Sequence, residues 1–232
     1  MHTRPRSLAE LDAEVIGCRA CPRLVAWREQ VARTKRPAYA DQEYWARPVP
    51  GFGPADAALA IVGLAPSAHG ANRTGRMFTG DPSGDFLFRA LHEVGLASQP
   101  TSTAIGDGLA LSGTRIVSPV RCAPPENKPT PAERDTCRPW LAAELGLLRP
   151  ALRAIVVLGA FGWQALMPVL AEAGWPVPSP RPAFGHGAVL RLDDLRVFGC
   201  YHVSPRNVQT HRVTHAMVCE VLASAAEVAG LF

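Results

Sequence analysis

The sequence predicts an α/β fold in which a parallel sheet lies between two layers of helices, a three-layer αβα sandwich. Four short apolar runs are continuous rather than alternating, as expected of strands buried on both faces. Helical patterns separate these runs, and this alternation is typical of a parallel sheet. The four predicted strands are residues 58–64, 114–122, 153–159 and 195–202.

Each predicted strand is followed by an amphipathic segment. The four predicted helices are "DFLFRALHEVGLA", "TPAERDTCRPWLAAELGLL", "FGWQALMPVLAEAG" and "THAMVCEVLASAAEVAGL". Two segments rich in proline and glycine, 34–57 and 173–187, are expected to be loops. No internal repeat or domain boundary is visible, so residues 1–232 are expected to form a single domain.

Helix-capping residues support two of these helices. Thr130, Pro131 and Glu133 have the spacing of a capping box with proline at the first helical position. Thr214 is the expected N-cap of the last helix. Pro139 falls inside the second helix and is expected to kink it or to split it into two.

Composition limits the class of partner only weakly. The formal net charge is +4, and all but two of the 24 basic residues are arginine, which suits phosphate contacts but also follows from codon bias. The apolar stretch 154–171 is broken by glycines, Gln164 and Pro168, so it predicts a strand, a turn and a helix rather than a membrane span. The first residues lack the apolar region of a signal peptide, and we expect a cytoplasmic protein without membrane contact.

Three proline-containing loops follow predicted strands. They are "GLAPSAHG" at 63–70, "RCAPPENK" at 121–128 and "YHVSPRN" at 201–207. Because ligands of open α/β sheets bind beyond the carboxyl ends of the strands, these loops are expected to converge on one crevice.

Four of the six cysteines have spacing that permits a metal centre. Cys18 and Cys21 form a C-x-x-C pair, and Cys122 and Cys137 lie far along the chain. Four thiolates can hold zinc or a [4Fe–4S] cluster, although unrelated core or redox cysteines remain an alternative. Cys200 and Cys219 are expected to be small core residues.

Five stretches together resemble the family 5 uracil-DNA glycosylases of bacteria and archaea, over nearly the whole chain and in the same motif order. They are "CRACPRLVAWRE", "YWARPVPGFG", "GLAPSAHGANRTGRMFTGD", "RCAPPENKPTPAE" and "YHVSPRNVQTHRVT". The related family 4 has an acidic residue where this chain has Leu64, and family 1 has aspartate where it has Ala65. The resemblance implies a uracil-DNA glycosylase-like sandwich with a central four-stranded parallel sheet. It also implies a [4Fe–4S] cluster on the four cysteines.

The resemblance further implies base excision from double-stranded DNA containing uracil or other deaminated bases, by a protein expected to be a monomer. Asp81, Asn127 and His202 are then the catalytic candidates, and Phe78 is expected to stack on a flipped base. The remaining substrate-binding candidates are Gly63, Leu64, Ala65, Ser67, His69 and Gly70. The loop candidates for DNA binding are Ser204, Arg206 and Asn207.

Structural roles are alternatives for most of these residues. Asp81 or Asp85 can cap the following helix, Asn127 suits a turn, and His202 suits a structural hydrogen bond. Phe78 could belong to the core, and Arg206 could be a solvated surface residue. Two other function classes compete: a nucleotide-binding protein, which lacks the expected phosphate-loop lysine, and a non-enzymatic iron–sulfur protein that binds DNA or senses redox state.

Overall fold

A five-stranded sheet forms the centre of the computed structural model, which describes residues 5–232. The strands are β1 (Leu59–Val62), β2 (Thr114–Val117), β3 (Ala154–Leu158), β4 (Val189–Leu192) and β5 (Leu195–Cys200). The helices are α1 (Leu8–Ile16), α2 (Pro22–Thr34), α3 (Ala71–Thr74), α4 (Pro82–Glu93), α5 (Pro131–Leu148), α6 (Ala160–Glu172), α7 (Pro205–Gln209) and α8 (His215–Val228). Single 3-10 turns lie at Pro37–Tyr39 and Pro125–Asn127.

Four strands are parallel, as the sequence predicts, in the order β2-β1-β3-β5, with β4 beyond β5. Strand β1 lies between β2 and β3, and its Ile61 pairs with Ile116 of β2 and with Val156 of β3. The prediction of four strands is corrected to five, because β4 pairs antiparallel with β5 at the edge. In β4, buried Leu190 and Leu192 alternate with exposed residues, and that short amphipathic pattern lacks the continuous hydrophobicity that identified the other strands.

Successive strand residues contribute to opposite faces of the sheet. On one face, Leu59 and Ile61 pack with α4 and α8 in one hydrophobic core. On the other face, Ala60 and Val62 pack with α1, α5 and α6 in a second core. The αβα sandwich is therefore confirmed. Among the described helices, none combines the length and apolarity needed to cross a bilayer.

The predicted helix ends are confirmed by their hydrogen bonds. Thr130 and Glu133 form the reciprocal capping box of α5, and the Thr214 hydroxyl accepts from the Met217 N–H at the start of α8. Helix α5 is not split, since it runs continuously through Pro139. Pro139 is exposed, so water can hydrogen-bond to the carbonyl that proline leaves unpartnered.

A buried ion network joins the second core to the start of the chain. Glu144 of α5, fully buried, accepts from Arg115 Nε of β2 at 2.6 Å and also from Arg121 Nη2. Arg115 donates further to Asp12 of α1 and to the carbonyl of Gly53. Two carboxylates, Glu144 and Asp12, therefore balance the two buried guanidinium groups, and Glu144 is the one shared between them.

We predict that Glu144→Gln lowers the free energy of unfolding by about 3–5 kcal/mol, because it leaves buried arginine charge without its carboxylate. Chemical denaturation measures this loss. The control is Glu172→Gln, which removes a solvent-exposed ion pair with Arg138 and should change stability by less than about 1 kcal/mol. Equal unfolding midpoints for the two variants would contradict the role given to Glu144.

Candidate active site

A cavity of about 600 Å³ opens beyond the carboxyl ends of the parallel strands. The loop after β1 supplies Leu64–Ala71, and the loop after β2 supplies Ser118 and, further on, Asn127. The loop after β5 supplies His202, Ser204 and Pro205. The convergence of the three loops that the sequence predicts is therefore observed.

Asp81 has the capping role that the sequence allowed, and its second carboxylate oxygen is held by a serine. Its Oδ1 accepts from the Gly84 N–H at 3.0 Å, which caps α4, and its Oδ2 accepts a hydrogen bond from Ser67 Oγ. The carboxylate also lines the cavity. Gly70 permits this arrangement, because a Cβ there would lie 2.1 Å from Asp81 Oδ2 and 2.3 Å from Ser67 Oγ. The cap and the serine thus fix the orientation of the carboxylate.

Phe78 lies at the cavity wall with its backbone in the left-handed region, at φ 51°. A Cβ on Gly63 would approach the Phe78 ring to 3.0 Å, and a Cβ on Gly84 would lie 1.9 Å from the Phe78 carbonyl oxygen. Gly63 itself does not appear in the cavity wall, so its place is behind the ring. The two glycines make room for an aromatic face that is available to a planar ligand.

His202 faces Phe78 across the cavity, with the two ring centroids 6.4 Å apart. Asn207 Nδ2 donates to the His202 carbonyl at 2.7 Å, which holds the backbone of the loop. Burial lowers the pKa of His202, and the charge of Asp81 opposes that shift only in part. Burial therefore favours the neutral imidazole, which can donate one N–H to a ligand.

Asn127 and His69 complete the set of polar side chains predicted in the cavity. Asn127 ends a 3-10 turn with φ 56° and is exposed at the cavity rim, so it is both a turn residue and a lining residue. His69 Nδ1 lies 3.0 Å from the Tyr44 hydroxyl. Burial, with Arg36 and Arg73 nearby, lowers the pKa of His69.

The loop 204–207 is the short helix α7 and its cap. Ser204 accepts from the Asn207 N–H at 3.5 Å and lies at the cavity rim with Pro205. Arg206 is exposed to solvent. Asn207 is placed behind His202 rather than in the cavity wall, so its visible role is to position that histidine.

One segment of the cavity wall, around residues 36–39, was not identified from the sequence. Arg36 and Tyr39 line the cavity from a region predicted only as loop. Arg73 fixes this region: its guanidinium stacks on the Tyr39 ring at 4.0 Å, and its Nε donates to the His69 carbonyl at 2.7 Å. No spacing in the sequence links these residues, since they meet only in the folded chain.

The four candidate metal-ligating cysteines surround a second, small cavity away from the first. Cys18 and Cys21 come from the turn before α2, Cys122 from the loop after β2, and Cys137 from α5. Arg28 Nη1 donates to Cys122 Sγ at 2.8 Å, and the Arg121 N–H donates to Cys137 Sγ at 3.4 Å. Burial raises the pKa of the Cys122 thiol to about 11 and that of Cys137 to about 12.

A group of four sulfurs, two buried with N–H donors and two half-buried, fits a cationic centre. Four thiolates would repel one another without a cation, and a metal or cluster removes their protons when it binds. Cys200 is fully buried, as predicted, whereas Cys219 is only half-buried and contacts His215 at the edge of the core.

Comparison with known proteins matches residues 50–226 to the family model described as the Uracil DNA glycosylase superfamily. A Type-5 uracil-DNA glycosylase of Mycobacterium bovis is 54% identical over 226 residues, which cover 97% of this chain and 83% of that protein. The protein of the same name from Mycobacterium leprae is 52% identical, covering 97% of each chain.

A more distant organism gives the same result. A Type-5 uracil-DNA glycosylase of Thermus thermophilus is 51% identical over 215 residues, covering 92% of this chain and 94% of that protein. The chain therefore belongs to the uracil DNA glycosylase superfamily and, within it, to the type-5 uracil-DNA glycosylases.

Proposed function

We propose that this protein is a monofunctional DNA repair glycosylase, which hydrolyses the N-glycosidic bond of uracil in double-stranded DNA and leaves an abasic site. The observation that carries the proposal is the meeting of Asp81, His202 and Phe78 around one open cavity. A carboxylate can orient water, an imidazole can donate to the departing base, and an aromatic face can stack on it. The family supports the same assignment.

The target base must leave the duplex stack before it can enter the cavity. Phe78 would stack on the flipped base. Its ring lies at the cavity wall because Gly63 has no side chain to displace it. Asn127 at the rim would contact the base edge or help to place water. In the described part of the chain, no backbone acceptor takes the N–H groups of Leu64, Ala65 or Ser67, and we infer that these cavity-lining residues supply donors to the base.

Bond cleavage makes the sugar oxocarbenium-like and leaves negative charge on the base. His202 would donate its N–H to a carbonyl oxygen of the base, and this interaction strengthens as charge develops. Asp81 would orient the attacking water and stabilise the cationic sugar. Its hydrogen bonds to Gly84 and Ser67 hold the carboxylate before substrate arrives, so little reorganisation is required.

Strand cleavage by a covalent imine would need a nucleophilic amine near the sugar. The chain has only two lysines, Lys35 and Lys128. Lys128 is 80% exposed and pairs with Glu126 at 3.1 Å, and Lys35 Nζ donates to the Ala40 carbonyl at 3.0 Å. Neither lysine lines the cavity, which supports simple hydrolysis.

The cavity wall also supports removal of larger deaminated bases. A pocket selective for uracil would surround it with fixed polar groups that penalise the wrong base. Here the first loop contributes Leu64, Ala65, Ser67 and Ala68, which are small or apolar. Recognition would depend on backbone donors and stacking, which tolerate related rings, so we include hypoxanthine among the substrates.

The cysteine group is proposed to hold a [4Fe–4S] cluster on Cys18, Cys21, Cys122 and Cys137. The hydrogen bonds from Arg28 and Arg121 to two of the sulfurs suit the negative charge of a thiolate-ligated cluster. None of the four cysteines lines the base cavity. The cluster would therefore stabilise the fold, by joining the N-terminal segment to α5, rather than take part in cleavage.

We predict that Asp81→Asn slows single-turnover base release by about 10²–10⁴-fold, the range for loss of a group that positions or activates water. Asparagine is also a good N-cap, so helix α4 should keep its stability. Asp85→Asn, which changes an exposed carboxylate one turn away, is the matched control and should cleave at the parent rate. A fully active Asp81→Asn variant would remove Asp81 from the mechanism.

The substrate prediction compares duplexes that contain uracil, hypoxanthine or only normal bases, at equal enzyme and in single turnover. We expect release of uracil and hypoxanthine, faster from mismatched pairs because those bases flip at lower cost. Strand breaks should appear only after alkali. Release of uracil without hypoxanthine would show a narrower pocket, and breaks without alkali would contradict monofunctional hydrolysis.

The cluster prediction concerns colour and metal content. Protein purified under low oxygen should be brown and contain iron and acid-labile sulfide in equal amounts. Cys137→Ser should lose both, whereas Cys200→Ala, which changes a buried cysteine outside the group, should keep them. Colourless, zinc-loaded and fully active protein from iron-replete cells would contradict the cluster assignment.

A further inference from the structure

Three side chains of types that can bind a metal lie together at the surface where α4 ends and α8 begins. Glu93 is the last residue of α4, and His215 and Cys219 lie one turn apart at the start of α8. His215 Nδ1 is 3.6 Å from Cys219 Sγ and 3.6 Å from Glu93 Oε2. All three ligand atoms lie within 4.8 Å of one another.

These separations agree with ligands around one tetrahedral ion. Zinc binds sulfur at about 2.3 Å and nitrogen at about 2.0–2.1 Å, so at a tetrahedral angle the sulfur and nitrogen lie roughly 3.6 Å apart. The observed Sγ–Nδ1 separation has this value. The side chain of Glu93 is 63% exposed, so its carboxylate is free to adjust towards an ion held by the other two ligands.

The two helices hold the ligands in place without the ion. Residues i and i+4 share one helix face, so His215 and Cys219 point to the same side of α8. The His215 ring packs edge-on against Phe86 at 5.8 Å. Its Nε2 is buried, so Nδ1 is the ring nitrogen that an ion at the surface can reach.

We propose that Glu93, His215 and Cys219 bind one zinc ion, with water in the fourth position. This site is separate from the base cavity and from the four-cysteine group, since it shares no residue with either. Its role would be structural: the ion would join the C-terminal helix α8 to α4. Asp81 is the N-cap of α4, so the ion would stabilise the helix that holds the carboxylate of the proposed function.

The test uses the full chain with its four-cysteine group intact in every sample, so that zinc or a cluster bound there cancels in the comparison. Protein is incubated with zinc and passed through gel filtration, and retained zinc is counted. Competition with a chromophoric chelator then gives the affinity. We expect the parent to retain one more zinc ion than Cys219→Ser or His215→Ala, and affinity at this site to fall at least about tenfold.

The matched control is His92→Ala, which removes an exposed histidine beside Glu93 and should bind zinc like the parent. Zinc should also raise the unfolding midpoint of the parent and of His92→Ala by more than that of Cys219→Ser, in which any rise comes from zinc at the four-cysteine group alone. Equal zinc content and equal midpoints in the parent and Cys219→Ser would overturn the proposal. Glu93, His215 and Cys219 would then only contact one another, without an ion. Because base release is measured separately, this result would not bear on the glycosylase assignment.

Discussion

The parallel register of four strands is the constraint on which the rest of the molecule depends. Their hydrogen bonding fixes β2, β1, β3 and β5 in one direction, so every loop that leaves a carboxyl end starts from the same edge. Residues far apart in sequence, such as Ser67, Asn127 and His202, therefore reach one cavity. A parallel sheet needs helical crossovers, and these crossovers cover both faces and place the cores away from the site.

Asp81 shows how one carboxylate can cap a helix and face a cavity at the same time. One oxygen caps α4 and the other accepts from Ser67, so the group is held by the fold before any substrate binds. Gly70 is required because a side chain would occupy the space of that contact. Gly63 and Gly84 act in the same way, because their missing side chains leave room for Phe78.

The four-cysteine group and the buried ion network meet around residues 121–122. Arg121 bonds to Glu144 through its side chain and to Cys137 through its backbone N–H, while Cys122 accepts from Arg28. The loop after β2 is consequently held from both sides before it reaches Asn127 at the cavity rim. A cluster at the cysteines and the carboxylate of Glu144 would thus reinforce the same loop, although neither touches the base cavity.

Hydrophobic pattern and capping residues indicated the sandwich, its four parallel strands and the starts of α5 and α8, because the burial of a strand on both faces and the hydrogen bonds of an N-cap leave their pattern in neighbouring residues. Motif resemblance pointed to the family, and strand-end position pointed to the crevice. The tertiary structure decided the rest. It added the edge strand β4, whose pattern is too short to recognise, and brought Arg36 and Tyr39 over the cavity. It also placed Asn207 behind His202 and brought Cys219, predicted as a core residue, beside Glu93 and His215. Such contacts join residues whose separation in sequence carries no information about their distance in space.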